Sequence, residues 1–369
     1  MTNARLSSCI PWVRTLIPFG VSVATLLGLT LMVDVTGLGW ALQNANLWLI
    51  GLAALKLPLL VLLWSLRWYW VVSVGQEDPI PFRFVVHAAL IRSFFNNLTP
   101  GVATGGEPFG AYYLAARTSL TFKEAIASTA AERMVQGLVM VLILVLAVFA
   151  CLPMLPVSSE DINLIYLGLS GFLVVVGAAF YLSLFQFRLV RMVLETAVRA
   201  IVRFVPRLEK PLGADRLREN LDGFYLAYRQ YLRSPTAVSG IVLLTIVQGA
   251  LDIIQPYLLF KALNVNVPLA VILLTANLAR ILGIFGFTPG GAGIIEAMNL
   301  ALYHGLSTLS PHVILAQTVL FRLLDSWLLW IVSGIVTSIV WTSESPSSNP
   351  KERNDDGNAT LQACALSAD

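Results

Sequence analysis

The chain has 369 residues, of which 57% are hydrophobic and 12% are charged, and its mean hydropathy is +0.77. Soluble proteins carry about twice this fraction of charged residues, so the composition excludes an ordinary soluble protein and favours a chain surrounded by lipid. The net charge of +3 is mild, and we predict no nucleic-acid partner. The three cysteines lie far apart without a metal or redox spacing, so we predict no metal site and no cofactor.

Seven apolar stretches approach the roughly 20 residues that cross a bilayer. In chain order they are 16–33, 47–66, 126–150, 162–185, 237–260, 268–287 and 313–340. We predict that the first is a retained helix rather than a secretory signal, because no small-x-small cleavage pattern follows it. Together the stretches predict an all-α polytopic integral membrane protein, with a single transmembrane domain over residues 1–341 and a disordered polar tail over 342–369.

Two stretches of the chain match each other without a gap at an offset of 189 residues. Each carries T-P-G-x-A, then Glu, then Arg, and the copies begin at Thr99 and Thr288. Nine of the 35 positions from Thr99 to Arg133 are identical to their counterparts, whereas about two or three identities are expected by chance. We therefore predict an internal repeat, with repeat one over about 16–150 and repeat two over about 162–341.

Positively charged residues predict the orientation of the chain. A basic loop over 186–236 holds ten Lys or Arg residues, which places it in the cytoplasm together with both termini. Repeat one then makes an odd number of crossings, so the second copy enters the membrane from the opposite side. The sequence thus predicts an inverted-topology repeat in a multi-pass protein of the cell membrane. Arg188, Arg191, Arg199 and Arg203 share a helical face that predicts contact with anionic membrane lipid, although they equally suit a role in orientation alone.

Each copy places glycine-rich, irregular backbone inside apolar sequence. The segment that follows T-P-G is too short to cross the membrane in either copy, so we predict two re-entrant helical hairpins with tips near mid-membrane. Tight turns between tilted full-length helices are the alternative interpretation. Broken backbone at membrane depth is tolerated only where it is buried in protein or lines a wet cavity, so the tips predict a substrate site.

The candidate substrate-binding residues are a charged pair in each copy and the small residues of the tips. The pairs are Glu107 with Arg133 and Glu296 with Arg322. The tip residues are Thr99, Gly101, Gly105, Gly106, Thr288, Gly290 and Gly291, and further candidates are Arg92, Arg280 and Asn97. Weaker candidates, most of which equally suit hydrogen bonds between helices, are Asn96, Asn277, Gln136 and Asp325.

The charged pairs predict recognition of a phosphate group. A guanidinium binds phosphate through paired hydrogen bonds, and a nearby glutamate limits the cost of burying it. Pro108 predicts a helix that begins at Glu107, and the free N–H groups of a helix start also bind anions. The alternatives are structural: Glu107 would only stabilise the helix dipole, and two arginines near the starts of long helices, Arg133 and Arg322, would only extend to the membrane interface. We place Glu296 one turn inside its helix.

Longer motifs carry a resemblance to a known family. Arg92-Ser-Phe-Phe-Asn-Asn-Leu-Thr-Pro-Gly, then Gly105-Gly106-Glu107 and Glu132-Arg133, resembles the first signature of the lysylphosphatidylglycerol synthase transmembrane-region family. Thr288-Pro-Gly-Gly-Ala-Gly-Ile-Ile-Glu296, followed by Phe321-Arg322-Leu-Leu-Asp325-Ser-Trp327, is similar to the second. The resemblance spans about residues 16–341. It implies a flippase-like membrane protein, of the type that moves an aminoacylated phospholipid between leaflets, here without the cytoplasmic synthase domain.

We therefore expect a lipid translocase that moves a phosphate-bearing phospholipid or a lipid-linked glycan between membrane leaflets. A membrane-embedded transferase is one alternative, and an accessory protein that acts with a separate lipid-modifying enzyme is another. The sequence carries no recognisable catalytic constellation and no Walker loop, so we do not predict an enzyme.

Overall fold

The structure is a computed structural model that describes residues 42–98, 105–152, 159–185, 192, 196, 214–284, 291 and 293–343. Its helices are α1 Leu47–Ala54, α2 Lys56–Val72, α3 Phe82–Leu98, α4 Glu107–Arg117, α5 Phe122–Cys151, α6 Ser159–Phe185, α7 Ala214–Arg233, α8 Pro235–Ala262, α9 Leu269–Ile284, α10 Ile294–Leu306, α11 Pro311–Phe321 and α12 Leu328–Ser343. A π-helical segment, Arg322–Trp327, lies between α11 and α12. The described residues contain no β-strand, which confirms the predicted all-α class.

Four described helical stretches are long and apolar enough to cross a membrane. They are Leu47–Val72, Phe122–Cys151, Pro235–Ala262 and Pro311–Val340, and they agree with the spans predicted at 47–66, 126–150, 237–260 and 313–340. The span predicted at 162–185 falls within α6, and the one at 268–287 corresponds to α9, an apolar helix of 16 residues. The span predicted at 16–33 lies outside the described residues.

The helices recur at the same offset as the sequence motif. Adding 189 to the bounds of α5, Phe122–Cys151, gives 311–340, which are the bounds of the last span, Pro311–Val340. By the same offset, α3 and α4 correspond to α9 and α10, to within three residues at each end. In the described part of the chain, each repeat thus runs from a span through two short helices to a second span.

The two short helices of each repeat pack against each other as a hairpin. Helices α3 and α4 have 17 and 11 residues, and α9 and α10 have 16 and 13. All four are shorter than the roughly 20 residues that a crossing needs. The tips, within residues 99–104 and 285–290, lie outside the described residues, so the re-entry of the hairpins into the membrane stays a prediction.

The two repeats interlock through reciprocal contacts. Helix α2 packs against α8, its counterpart in repeat two. The last span of each repeat packs against the hairpin of the other, α5 against α9 and α12 against α3. At the second of these contacts, Phe94 stacks on Trp330 with the ring centroids 6.4 Å apart. Side chains of one repeat are therefore within reach of the other.

Helix α7 packs against α5 and α8. Its apolar face buries Ala227 and Tyr231 against Ala127 and Ala131 of α5. Burial raises the pKa of the Tyr231 phenol well above its ordinary value. The four arginines of the predicted lipid-binding face precede α7 and lie outside the described residues.

Helix α5 begins well before Arg133. The Thr121 hydroxyl accepts a hydrogen bond from the Glu124 N–H at 3.3 Å, and the Glu124 carboxylate accepts one from the Thr121 N–H at 2.8 Å. This capping box starts the helix, and Arg133 follows Phe122 by 11 residues, about 16 Å of helix rise. The prediction that Arg133 lies near the start of its helix is wrong, and so is the same prediction for Arg322, which lies within the last span.

Candidate functional site

The first predicted pair, Glu107 and Arg133, is in contact. Nη2 of Arg133 donates to Oε1 of Glu107 at 2.7 Å, and Nε donates to the same oxygen at 3.0 Å. Glu107 is the first residue of α4 and Pro108 follows it, as predicted. Nη1 of Arg133 donates to the Gln136 side chain at 2.9 Å. The pair therefore joins the start of α4 to the interior of α5.

Asn96 fixes the turn that leads to this pair. Its Oδ1 accepts from the Gly106 backbone N–H at 2.7 Å, and its Nδ2 lies 3.4 Å from the Glu107 carboxylate. Gly106 leaves no room for a side chain, because a Cβ there would lie 2.0 Å from the carbonyl oxygen of Arg92. The end of α3 and the start of α4 are thus held close together, and the Glu107 carboxylate is held between them.

A second carboxylate, Glu132, extends the cluster into the protein. It is fully buried and accepts from Nε of Arg67 at 2.7 Å and from Nη1 of Arg92 at 2.8 Å. Nη1 of Arg92 also lies 3.4 Å from the Glu107 carboxylate. The Arg92 guanidinium sits over the Trp68 ring, 4.8 Å from its centroid, a favourable cation–π arrangement. Arg92 therefore links the two carboxylates.

We call this set the repeat-one cluster: Arg67, Arg92, Glu107, Glu132 and Arg133. Three guanidinium groups and two carboxylates leave one excess positive charge. Nη1 of the completely buried Arg67 donates to Gln248 on α8 at 2.8 Å, while its Nη2 has no hydrogen-bond partner among the described residues. A buried donor without a partner costs free energy, and an uncompensated charge away from water costs more. The cluster therefore suits an additional negatively charged group.

The repeat-one cluster is open at one edge. The side chain of Arg133 is 31% exposed and that of Glu107 is 13% exposed, whereas Arg67 and Glu132 have no exposed surface. The open edge adjoins the first turn of α4, and the N-terminal end of a helix favours anions. An anionic group can therefore reach Arg133 from outside the protein.

The second predicted pair, Glu296 and Arg322, is in contact but closed. Nε and Nη2 of Arg322 donate to the two carboxylate oxygens of Glu296 at 2.8 and 2.9 Å. Only 3% of the Arg322 side chain and none of Glu296 is exposed. The placement of Glu296 one turn inside its helix is wrong: α10 begins at Ile294, and the Glu296 carboxylate caps it by accepting from the Gly293 N–H at 2.8 Å. Equivalent in sequence, the two pairs differ in accessibility.

A third group of charges joins the repeats. Nζ of Lys56 lies 2.9 Å from Asp252 of α8 and 2.5 Å from Asp325 of the π segment, and it donates to Gln255 at 2.9 Å. Arg280 of α9 pairs with the other oxygen of Asp252. We call Lys56, Asp252, Arg280 and Asp325 the Lys56 cluster, and its charges balance. The structure thus places Arg280 and Asp325 in a different cluster from Arg133.

Some of the remaining predicted residues make local contacts, and the others belong to the tips of the hairpins. Gly291 contributes its carbonyl oxygen to Nη2 of Arg322 at 3.3 Å, and Gly105 is half-buried in the turn before α4. Asn97 and Asn277 each donate to a carbonyl four residues earlier in their own helix, at 2.9 and 2.8 Å. Four predicted residues lie outside the described residues: Thr99, Gly101, Thr288 and Gly290.

Four of the buried charges were not among the predicted site residues: Lys56, Arg67, Glu132 and Asp252. None of them has a charged counterpart at an offset of 189, so a search guided by the repeat passes over them. A simpler sequence feature identifies these four residues, because each is a charged residue that lies inside or beside an apolar stretch. An ionisable residue at membrane depth is costly and marks a functional site by default.

Known proteins resemble the chain over most of its length. The profile of the family described as Lysylphosphatidylglycerol synthase TM region matches residues 16–333. A UPF0104 membrane protein of Methanothermobacter thermautotrophicus is 25% identical over 316 residues, which cover 84% of this chain and 90% of the relative. A UPF0104 membrane protein of Pyrococcus horikoshii is 24% identical over 303 residues, which cover 80% and 88%. With both signatures inside the matched region, the chain belongs to the family of the lysylphosphatidylglycerol synthase transmembrane region.

Proposed function

We propose that the protein is a lipid translocase that moves a phosphate-bearing lipid, either a phospholipid or a lipid-linked glycan, between the leaflets of the cell membrane. The observation that carries this proposal is the repeat-one cluster, whose excess positive charge lies beside an exposed edge. A headgroup phosphate would supply the missing negative charge and accept paired hydrogen bonds from Arg133. The family and the four candidate spans support a substrate drawn from the membrane.

The proposed path keeps the lipid tails in the bilayer while the headgroup passes through the protein. Both hairpins would re-enter the membrane and bring their T-P-G tips to the headgroup. In the proposed orientation, both termini and the basic loop over 186–236 lie in the cytoplasm. Anionic lipid at this loop would hold the loop at the membrane surface.

Lipid that remains bound to the purified protein tests the anion site. Native mass spectrometry of the wild type is expected to show a defined phosphate-bearing lipid. Arg133→Ala should weaken its binding about 10- to 100-fold, because hydrogen bonds to charged groups are each worth about 1.5–3 kcal/mol. Arg83→Ala removes an exposed arginine on α3 and should leave the lipid in place. The same bulk lipid in all three proteins would contradict the site.

Vesicles test the movement itself. The protein is reconstituted with trace fluorescent phosphatidylglycerol, and the measured rate is that at which external dithionite quenches probe from the inner leaflet. This rate is expected to be higher than in protein-free vesicles, and Arg133→Ala should lower it. A rate equal to that of empty vesicles, for this probe and for a labelled polyprenyl phosphate, would contradict the translocase. A covalent change in the added lipid would point instead to a membrane-embedded transferase, and unaltered exchange by Arg133→Ala would contradict the proposed site.

A further inference from the structure

A polar seam runs along the contact between the two repeats. On α2, Lys56 and Arg67 are both buried and lie 11 residues apart, about 16 Å along the helix. On α8, Gln248 contacts Arg67 and Asp252 contacts Lys56. The seam therefore connects the repeat-one cluster to the Lys56 cluster.

The contacts that join the two repeats differ between the two ends of the seam. At the Arg67 end, the bonds that cross between the repeats go to neutral side chains of α8. At the other end, the Lys56 ammonium lies against two carboxylates of repeat two. The Asn46 backbone N–H reinforces this end by donating to the Ala262 carbonyl oxygen at 2.8 Å. Two ion pairs of Lys56 thus join one repeat to the other.

The surroundings of Lys56 allow these ion pairs to separate. Removing one partner of a buried pair is costly when the other is left alone. Asp252, however, also pairs with Arg280 and keeps a positive partner when the ammonium withdraws. The Asp325 side chain is 21% exposed, so the protein does not enclose its carboxylate completely. Asp325 also lies in the π segment, a backbone form that is frequent at functional sites.

We propose that the ion pairs of Lys56 with Asp252 and Asp325 form a gate. They hold α2 of repeat one against α8 and the π segment of repeat two. Lys56 itself is 4% exposed, whereas Arg280 and Asp325 at the edge of the same cluster are 33% and 21% exposed, so the gate separates the buried contact between the repeats from an accessible rim. Lys56 acts here as a positioning residue that governs the contact between the repeats. The purpose of the gate rests on the proposed translocase function, but its opening is measurable without lipid.

A thiol reporter at Ala53 tests the gate. Ala53 is 1% exposed and packs with Leu259 and Leu324, at the junction of α1, α8 and the π segment. In a chain whose native cysteines are replaced, Ala53→Cys is expected to react slowly with a hydrophilic maleimide in detergent. Lys56→Gln and Asp325→Asn, each added to this background, are expected to raise the labelling rate at least about tenfold, because the closed state loses its ion pairs.

Two matched variants separate gating from general loosening. Lys56→Arg keeps the positive charge and should label as slowly as the parent. Lys261→Gln removes an ammonium that lies on α8 outside the gate, beside Asn266, and should leave the rate unchanged.

Three outcomes would overturn the gate. The first is parental labelling in both Lys56→Gln and Asp325→Asn, and the second is an equal increase in Lys261→Gln. The third is loss of the folded species of both gate variants in size-exclusion chromatography, because the ion pairs would then serve folding rather than gating. If the labelling rates behave as expected but the wild type moves no lipid, the result would count against the translocase and not against the gate.

Discussion

At the scale of single residues, each buried charge depends on its partners. Glu132 has no exposed surface and forms ion pairs with both Arg67 and Arg92. Breaking a buried pair by removing one partner costs about 3–5 kcal/mol, whereas an exposed ion pair is worth about 0–1 kcal/mol. Glu132 should therefore contribute more to stability than the partly exposed Glu107.

The substitution Glu132→Gln tests this contribution. It is expected to lower the free energy of unfolding by about 3–5 kcal/mol, because two buried guanidinium groups lose their shared negative charge. Glu77→Gln changes an exposed carboxylate and serves as the control. The two variants are compared by their melting temperatures in the same detergent. Equal values would contradict this account of the cluster.

The two repeated arginines are expected to respond differently to the same change. Arg322→Ala leaves Glu296 buried and without its bidentate partner, so a loss of about 3–5 kcal/mol in stability is expected. Arg133→Ala removes a partly exposed side chain, and Glu107 keeps Arg92 nearby, so the expected loss is about 1 kcal/mol or less. Unfolding and lipid retention are measured on the same preparations. Equal destabilisation would mean that the difference in exposure has no energetic consequence.

At the scale of elements, glycines set how closely the helices of the first hairpin approach. A Cβ at Gly106 would lie 2.0 Å from the Arg92 carbonyl oxygen, and one at Gly110 would lie 2.9 Å from that of Ala88. Both obstacles are backbone atoms, which cannot rotate away as a side chain can. Gly137 on α5, by contrast, has open space around it.

Alanine at two of these glycines should have opposite effects. Gly106→Ala is expected to destabilise the hairpin and to reduce lipid retention, because the start of α4 and Glu107 must move. Gly137→Ala is expected to stabilise the protein by about 0.5–1 kcal/mol, because glycine inside a helix costs conformational entropy. Melting temperatures decide the signs. A Gly106→Ala protein as stable as Gly137→Ala would show that the hairpin is loosely packed.

The elements also show which parts of the structure the sequence could predict. Apolar length predicted the four spans, since the bilayer acts on about 20 consecutive residues, and Pro108 located the start of α4 because proline suits a first turn. The start of α5 was missed, although Thr121 and Glu124 carry the capping-box pattern. The partners of Lys56 could not be predicted, because Gln255 lies 199 residues away and only packing brings the two together.

At the scale of the whole molecule, the repeat predicts on which side of the membrane each hairpin begins and ends. Glu77 precedes α3 and Ser119 follows α4, while Asn266 and Thr308 hold the equivalent positions around α9 and α10 at an offset of 189. All four residues are exposed. Re-entrant hairpins place both ends of a hairpin on one side, and inverted topology places the two hairpins on opposite sides.

Single cysteines at these four positions test both predictions. In intact cells that express a chain without native cysteines, an impermeant thiol reagent is expected to label Asn266→Cys and Thr308→Cys. Glu77→Cys and Ser119→Cys should react only after the membrane is opened, since the positive-inside rule places them in the cytoplasm. Labelling of Glu77→Cys and Ser119→Cys from opposite sides would mean that the hairpin crosses the membrane completely.

The π segment changes how the two copies should be compared. A π turn contains more residues than an α turn, so beyond Arg322 the side chains of the second span are rotated relative to those of α5. Gln136 contacts Arg133 on its own helix, whereas its numerical counterpart Asp325 reaches Lys56 in the other repeat. Up to the arginine, equivalent side chains of the two spans point in the same directions around the helix axis. After it they point in different directions. A role assigned to a residue of one copy therefore transfers to the other only before that point.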